Sequence, residues 1–175
     1  QLISNPNSIG NVFAIHGPMG TGKTSLVRRG IAKALGRPFT LVSLGGMTDS
    51  SLFRGHSYTY EGSRPGRIVD VLKTSGCMNP VIYFDELDKV SDTPKGEEII
   101  HTLIHLTDKS QNMHFHDNYY AGVPIDISKA IFIFSYNNEE KINPILLDRM
   151  YKIKVDGFSP EDKIQIARYY LLKDI

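Results

Sequence analysis

The sequence predicts an α/β domain in which a central parallel sheet is flanked by helices, and three observations carry that prediction. Compact apolar runs at 12–16, 39–43, 81–84 and 130–134 lack polar–apolar alternation, the pattern of parallel strands buried on both faces. Stretches of helical periodicity separate these runs, so strands and helices alternate along the chain. A glycine-rich turn joins the first strand to the first helix, which is where an open sheet of this kind places a ligand.

Taken in order, residues 12–16 form the first strand and 23–35 the first helix, with Gly36 able to end it in a left-handed cap. Residues 55–66, rich in Gly and Ser and carrying Arg64, form a surface loop suited to function. The run 97–107 spaces Ile99, Ile100, Leu103, Ile104 and Leu106 for one helical face. Lys152 and Lys154 alternate with Ile153 and Val155 as on the solvent side of an edge strand. Ser159, Pro160 and Asp162 then open a last helix as N-cap, N1 and N3. Neither an internal repeat nor a low-complexity linker interrupts the pattern, so 1–175 reads as one domain.

Composition narrows the setting without naming a partner. The chain has 175 residues, 41% of them hydrophobic and 22% charged, enough to bury one core. Twenty Lys and Arg against 19 Asp and Glu give a net charge of +1, so no overall field attracts nucleic acid or an acidic membrane. One cysteine, Cys77, and the lack of a leader-like or membrane-length apolar run favour a soluble protein in a reducing compartment, cytoplasm or organelle matrix. A start at Gln1 and an end at Ile175 just after a helical pattern suggest a segment of a longer protein.

Gly17-Pro18-Met19-Gly20-Thr21-Gly22-Lys23-Thr24 satisfies GxxxxGK[ST] in full, directly after a strand and before a helix. Glycines let successive backbone N–H groups turn toward phosphate oxygens, and the helix N-terminus adds positive potential. Lys23 is placed to reach β- and γ-phosphates, and the Thr24 hydroxyl to ligate Mg²⁺. Such a cradle is expected to bind a nucleotide, read here as ATP.

The strand 81–84 runs into Asp85 and Glu86. Asp85 is expected to hold Mg²⁺ through water, and Glu86 to polarise the water that attacks the γ-phosphate. The strand 130–134 leads to Asn137, which is placed to hydrogen-bond that water or the γ-phosphate; a turn cap is its alternative use. Twelve positions on, Arg149 offers a planar guanidinium for transition-state charge, against a surface ion pair with Asp148. His101, His105, His114 and His116 are read as surface histidines, because no cysteine or close carboxylate completes a zinc ligand set.

This order of phosphate turn, Asp-Glu strand, Asn strand and trailing Arg resembles the AAA+ ATPases. A longer match is similar to the ATPase module of Lon proteases over about residues 12–172. It comprises Ser43-Leu44-Gly45-Gly46, Arg54-Gly55-His56, Tyr58 to Gly62, Pro65-Gly66-Arg67-Ile68, Asn79-Pro80, Asp85 to Lys89, Pro124 to Ser128, Asn137-Asn138 and Pro144 to Met150. The resemblance implies the large nucleotide-binding subdomain of a P-loop NTPase, working as a hexameric ring of identical chains. It implies that ATP hydrolysis is coupled to unfolding and threading protein substrates toward a Ser-Lys protease chamber.

Arg149 would then complete the neighbouring subunit's site. Tyr60 would occupy the aromatic place of a substrate-gripping pore loop, with Glu61 where the family has an aliphatic residue, a departure that implies altered substrate choice. The family's small helical domain with its sensor Arg, and its protease Ser and Lys, are not among these 175 residues. The other reading on the same fold is a remodelling ring, or a nucleic-acid motor or clamp loader, without a protease. Tyr60 beside Glu61, rather than Lys or Arg, favours a polypeptide over nucleic acid in the central loop.

Overall fold

The computed structural model describes residues 11–47, 49–59 and 61–171. Five strands make one parallel sheet: β1 (Asn11–His16), β2 (Phe39–Ser43), β3 (Val81–Asp85), β6 (Ile131–Tyr136) and β7 (Tyr151–Lys154). Their order is β2-β3-β6-β1-β7. A two-stranded antiparallel pair, β4 (Phe115–His116) and β5 (Pro124–Ile125), lies in the connection between β3 and β6.

The absence of alternation in the inner strands has the predicted cause. On β3, Ile82 and Phe84 enter one apolar cluster, while Val81 and Tyr83 enter a second on the other face. On β6 the split is Phe132 and Phe134 against Ile131 and Ile133. Since successive strand side chains point to opposite faces, both faces of the sheet are buried. Helices α3 (Arg67–Ser75) and α4 (Pro94–Thr107) cover the first face with Ile68, Val71, Ile99 and Leu103. The helix after the phosphate turn covers the second with Val27 and Ala32.

That helix, α1, opens over Lys23–Ser25 and continues over Leu26–Ala32 with wider, i to i+5 hydrogen bonding. Gly36, at φ 61°, lies just beyond it as predicted. Shorter helices are α2 (Ser51–Arg54) and α5 (Pro144–Asp148), and α6 (Pro160–Ile166) follows the sheet. Ser159 and Asp162 close a reciprocal capping box at the start of α6, with Pro160 in its first turn.

Several boundaries differ from expectation. β2 is an edge strand with Leu41 exposed and only Val42 buried, so the apolar run 39–43 is not a doubly covered strand. An apolar run reports propensity, whereas coverage depends on which strands become neighbours. Helix α4 starts three residues earlier than its apolar spacing indicates, because Thr93 accepts the Gly96 N–H and Pro94 fills the first turn. Strand β7 is at the opposite edge, as expected, but all four of its residues are exposed.

Candidate active site

The strand order sets the site. β6 lies between β1 and β3, so the end of β6 separates the phosphate turn that follows β1 from the carboxylates that end β3. A cleft of about 380 Å³ forms at these strand ends, lined by residues 19–25 together with Asp85, Glu86 and Asn137. These are the predicted phosphate, carboxylate and amide residues, gathered from segments far apart in sequence. Gly20 and Gly22 both sit at φ 76°, a conformation that side chains resist, which is why the turn needs glycine there.

Lys23 is drawn into this turn. Its ammonium donates to the Gly17 carbonyl at 2.8 Å, the Pro18 carbonyl at 2.9 Å and Asn137 Oδ1 at 2.8 Å, which uses all three of its N–H donors. Burial pushes its pKa below the usual lysine value, while the charges of Asp85 and Asp88 act in the opposite direction. Asn137 is thereby joined to the lysine of the turn. Thr21 Oγ1 donates to the Pro18 carbonyl at 3.0 Å and braces the turn.

Thr24 Oγ1 lies 3.4 Å from Asp85 Oδ2. A hydroxyl and a carboxylate, both hard oxygen donors bordering the cleft, fit Mg²⁺ with water completing its shell. Two hydroxyls not singled out from the sequence hold Asp85 from behind. Ser135 Oγ, almost fully buried, donates to Asp85 Oδ1 and accepts the Glu86 N–H at 3.3 Å. Tyr83, wholly buried, places its OH 3.4 Å from both Asp85 Oδ1 and Thr24 Oγ1, and burial pushes its pKa up.

Glu86 is exposed and has φ 61°, the one non-glycine residue with positive φ among those described. That backbone state stores about 1 kcal/mol or more and turns the side chain away from the line of Asp85. Gly45 faces it across the edge: a Cβ there would lie 2.2 Å from Glu86 Oε2. Asp88 is buried nearby, with Oδ2 accepting the Asn138 N–H at 3.3 Å and Oδ1 without a partner among the described residues.

Arg149 is not among the residues that line the cleft of its own chain. It borders a separate groove with Thr107, Asp108 and Tyr151. The predicted alternative partner, Asp148, is replaced by Asp108 at 3.1 Å, and a second guanidinium bond goes to the Ile104 carbonyl at 2.8 Å. Hydrogen bonds from Ser110 first, then the Arg149 charge, hold the Asp108 carboxyl below its usual range. Tyr60 lies outside the described residues; Glu61 is exposed. Among the described residues no three or more His, Cys, Asp or Glu side chains gather as a metal ligand set, and His105 pairs with Gln111. Among them, too, no helix is long and apolar enough to cross a membrane.

Residues 13–156 match the profile of the ATPase family associated with various cellular activities (AAA). The chain is 45% identical over its whole length to a Lon protease homolog of Acanthamoeba polyphaga mimivirus, of which the match covers 17%. It is 44% identical over 95% of its length to the peroxisomal Lon protease homolog 2 of Spinacia oleracea, covering 18% of that protein. The Lon protease of Lawsonia intracellularis gives 44% over 96% of the chain and 20% of its own length. The chain thus spans about a fifth of the curated relatives it matches. With its phosphate turn, acidic strand and intervening amide set in one cleft, the chain belongs to the AAA family of ATPases, as a module of the Lon type.

Proposed function

We propose that this module is the ATP-hydrolysing motor of a Lon-like ATP-dependent serine protease, coupling hydrolysis to the unfolding and threading of protein substrates through a hexameric ring. The observation that carries the chemistry is the convergence of Lys23, Thr24, Asp85, Glu86 and Asn137 on one cleft. The protease assignment rests on the names of the relatives matched along the whole chain.

The residues divide the work as follows. Backbone amides of the turn 17–24 and the α1 N-terminus bind the phosphates. Lys23 leaves its carbonyl partners for β- and γ-phosphate oxygens, keeping Asn137 beside the γ-phosphate. Thr24 and Asp85, the latter through water, would hold Mg²⁺, which when bound neutralises charge on the phosphates. Glu86 takes a proton from the attacking water as its oxygen bonds to γ-phosphorus. The bond from γ-phosphorus to the bridging oxygen breaks, and its electron pair leaves with ADP. Arg149 of a neighbouring subunit would meet the equatorial charge. Tyr60 and Glu61, midway in sequence between Gly55 and Gly66, would touch an unfolded polypeptide in the ring's centre. A soluble setting in cytoplasm or an organelle matrix suits these roles.

Glu86→Gln tests the chemistry. Binding of a fluorescent ATP analogue is expected to stay within about 3-fold of wild type, while turnover falls by roughly 10²–10⁴-fold, the range for losing a general base. Undiminished turnover would remove Glu86 from the mechanism. Stimulation of the ATPase rate by unfolded protein, with none by single- or double-stranded DNA, separates the polypeptide motor from a nucleic-acid motor.

A further inference from the structure

We infer that Asp117 is a positioning residue for the 55–66 loop, a buried carboxylate that fixes the base of the segment proposed to grip polypeptide. The inference rests on that reading of the loop. Its ends are pinched together: a Cβ on Gly55, at φ 73°, would lie 2.6 Å from the Gly66 nitrogen. A Cβ on Gly66 would lie 2.1 Å from the Phe53 carbonyl oxygen. His56 N–H donates to the Arg64 carbonyl at 3.1 Å just inside the pinch. Residues 55 and 66 thus meet as the close ends of an Ω-loop do.

Asp117 holds that neck from another part of the chain. It is 1% exposed, and its Oδ2 accepts the Gly66 N–H at 2.8 Å. Its Oδ1 accepts the Tyr119 N–H at 2.8 Å and the Tyr120 N–H at 3.4 Å. Next door, Asn118 N–H donates to the Arg54 carbonyl at 2.6 Å, and Asn118 Nδ2 to the Gly55 carbonyl at 3.0 Å. The turn 117–120 therefore bonds to both ends of the loop.

The chemistry favours a carboxylate over an amide at this position. Both oxygens face backbone donors, so Asn would present its NH₂ to one set and break it. Among the described residues no cation pairs with Asp117. A buried carboxylate held only by amides is expensive to desolvate, and its geometry returns one structural benefit, the fixed neck. Its hydrogen-bond partners Gly66, Tyr119 and Tyr120 are not among the residues that line the nucleotide cleft, so its influence falls on polypeptide capture.

Asp117→Asn in the intact protein tests this, with reduced, carboxymethylated α-lactalbumin as the unfolded polypeptide. The polypeptide concentration for half-maximal ATPase stimulation is expected to rise by about 10-fold, the equivalent of one lost hydrogen bond to a charged group, with the KM for ATP unchanged. Hydrogen exchange at the 55–66 amides should accelerate while β3 and β6 stay protected. Should Asp117→Asn fail to fold, Asn118→Ala, which removes the bond to Gly55, should shift the same half-saturation in the same direction. Unchanged loop protection would overturn the inference. So would a loosened loop with unchanged half-saturation, and Tyr60→Ala then tells which premise failed. A shift in Tyr60→Ala rejects the clamp alone, and no shift rejects the gripping role of the loop.

Discussion

Gly45→Ala isolates the placement of Glu86 from its chemistry. The added methyl would stand 2.2 Å from Glu86 Oε2 and 3.2 Å from its Cδ, while ordinary contact begins at 3.4 Å. The carboxylate oxygen must therefore retreat by about 1.2 Å, the difference between 3.4 and 2.2 Å. Gly45 is not among the glycines with positive φ, so alanine brings no backbone strain, and the displaced group is the free end of an exposed side chain. Stability should accordingly change by less than about 0.5 kcal/mol, as for ordinary surface substitutions. A misplacement of about 1 Å in a reacting group can lower the rate by about 10²-fold, so kcat should fall on that order with nucleotide affinity intact. Steady-state ATPase kinetics, a thermal melt and nucleotide titration on the same preparation measure all three. Wild-type kcat in a stably folded Gly45→Ala variant would refute the idea that Glu86 acts from the position held against Gly45.

Two further outcomes follow from neighbouring contacts. Ser135→Ala removes the hydroxyl that donates to Asp85 and accepts from the Glu86 N–H; it should lower stability by about 1.5–3 kcal/mol in a denaturant titration, the range for a hydrogen bond to a charged group. It should also raise the Mg²⁺ concentration that half-saturates nucleotide binding, and an unchanged Mg²⁺ titration would exclude Ser135 from holding Asp85. Arg149→Ala should bind ATP normally yet turn it over at least 10³-fold more slowly, as for loss of an arginine supplied in trans. Mixing it with a Lys23→Ala subunit should restore part of the activity, and failure of that mixture would place the role of Arg149 within its own chain.

The parts of this site that the sequence disclosed are those fixed by local chemistry. GxxxxGK[ST] needs only a contiguous turn, and the Ser159–Asp162 capping box needs only four residues. Tyr83 escaped because it stands inside the apolar run 81–84 and reads as core, and Ser135 because it directly follows the run 130–134 and reads as its end. A signal for them was nonetheless present in the strand period: residue 83 shares a face with Asp85, and 135 with Asn137, so each hydroxyl follows its strand toward the cleft. Gly45 and Asp117 had no such signal, because each works through a partner about 40 to 50 residues away. The edge position of β2 was hidden for the same reason, since neighbours in a parallel sheet are chosen by crossovers of a dozen residues or more.

The geometry of Arg149 bears on why such a module would act in a ring. Among the residues that line the cleft, Lys23 is the one cation, whereas a loose phosphoryl transition state spreads charge over three equatorial oxygens. Lys23 would meet the phosphates as a point charge, without the fork that spans two oxygens. Arg149 has that fork, and in its own chain one of its nitrogens, Nη1, bonds both Asp108 and the Ile104 carbonyl. The ion pair is partly exposed, with side chains 30% and 20% accessible, and pairs of that kind hold by about 0–1 kcal/mol. In the proposed ring, Arg149 would exchange this contact for a triphosphate on an adjoining subunit. Under that proposal hydrolysis would depend on the relative position of two chains, the coupling a translocating ring requires.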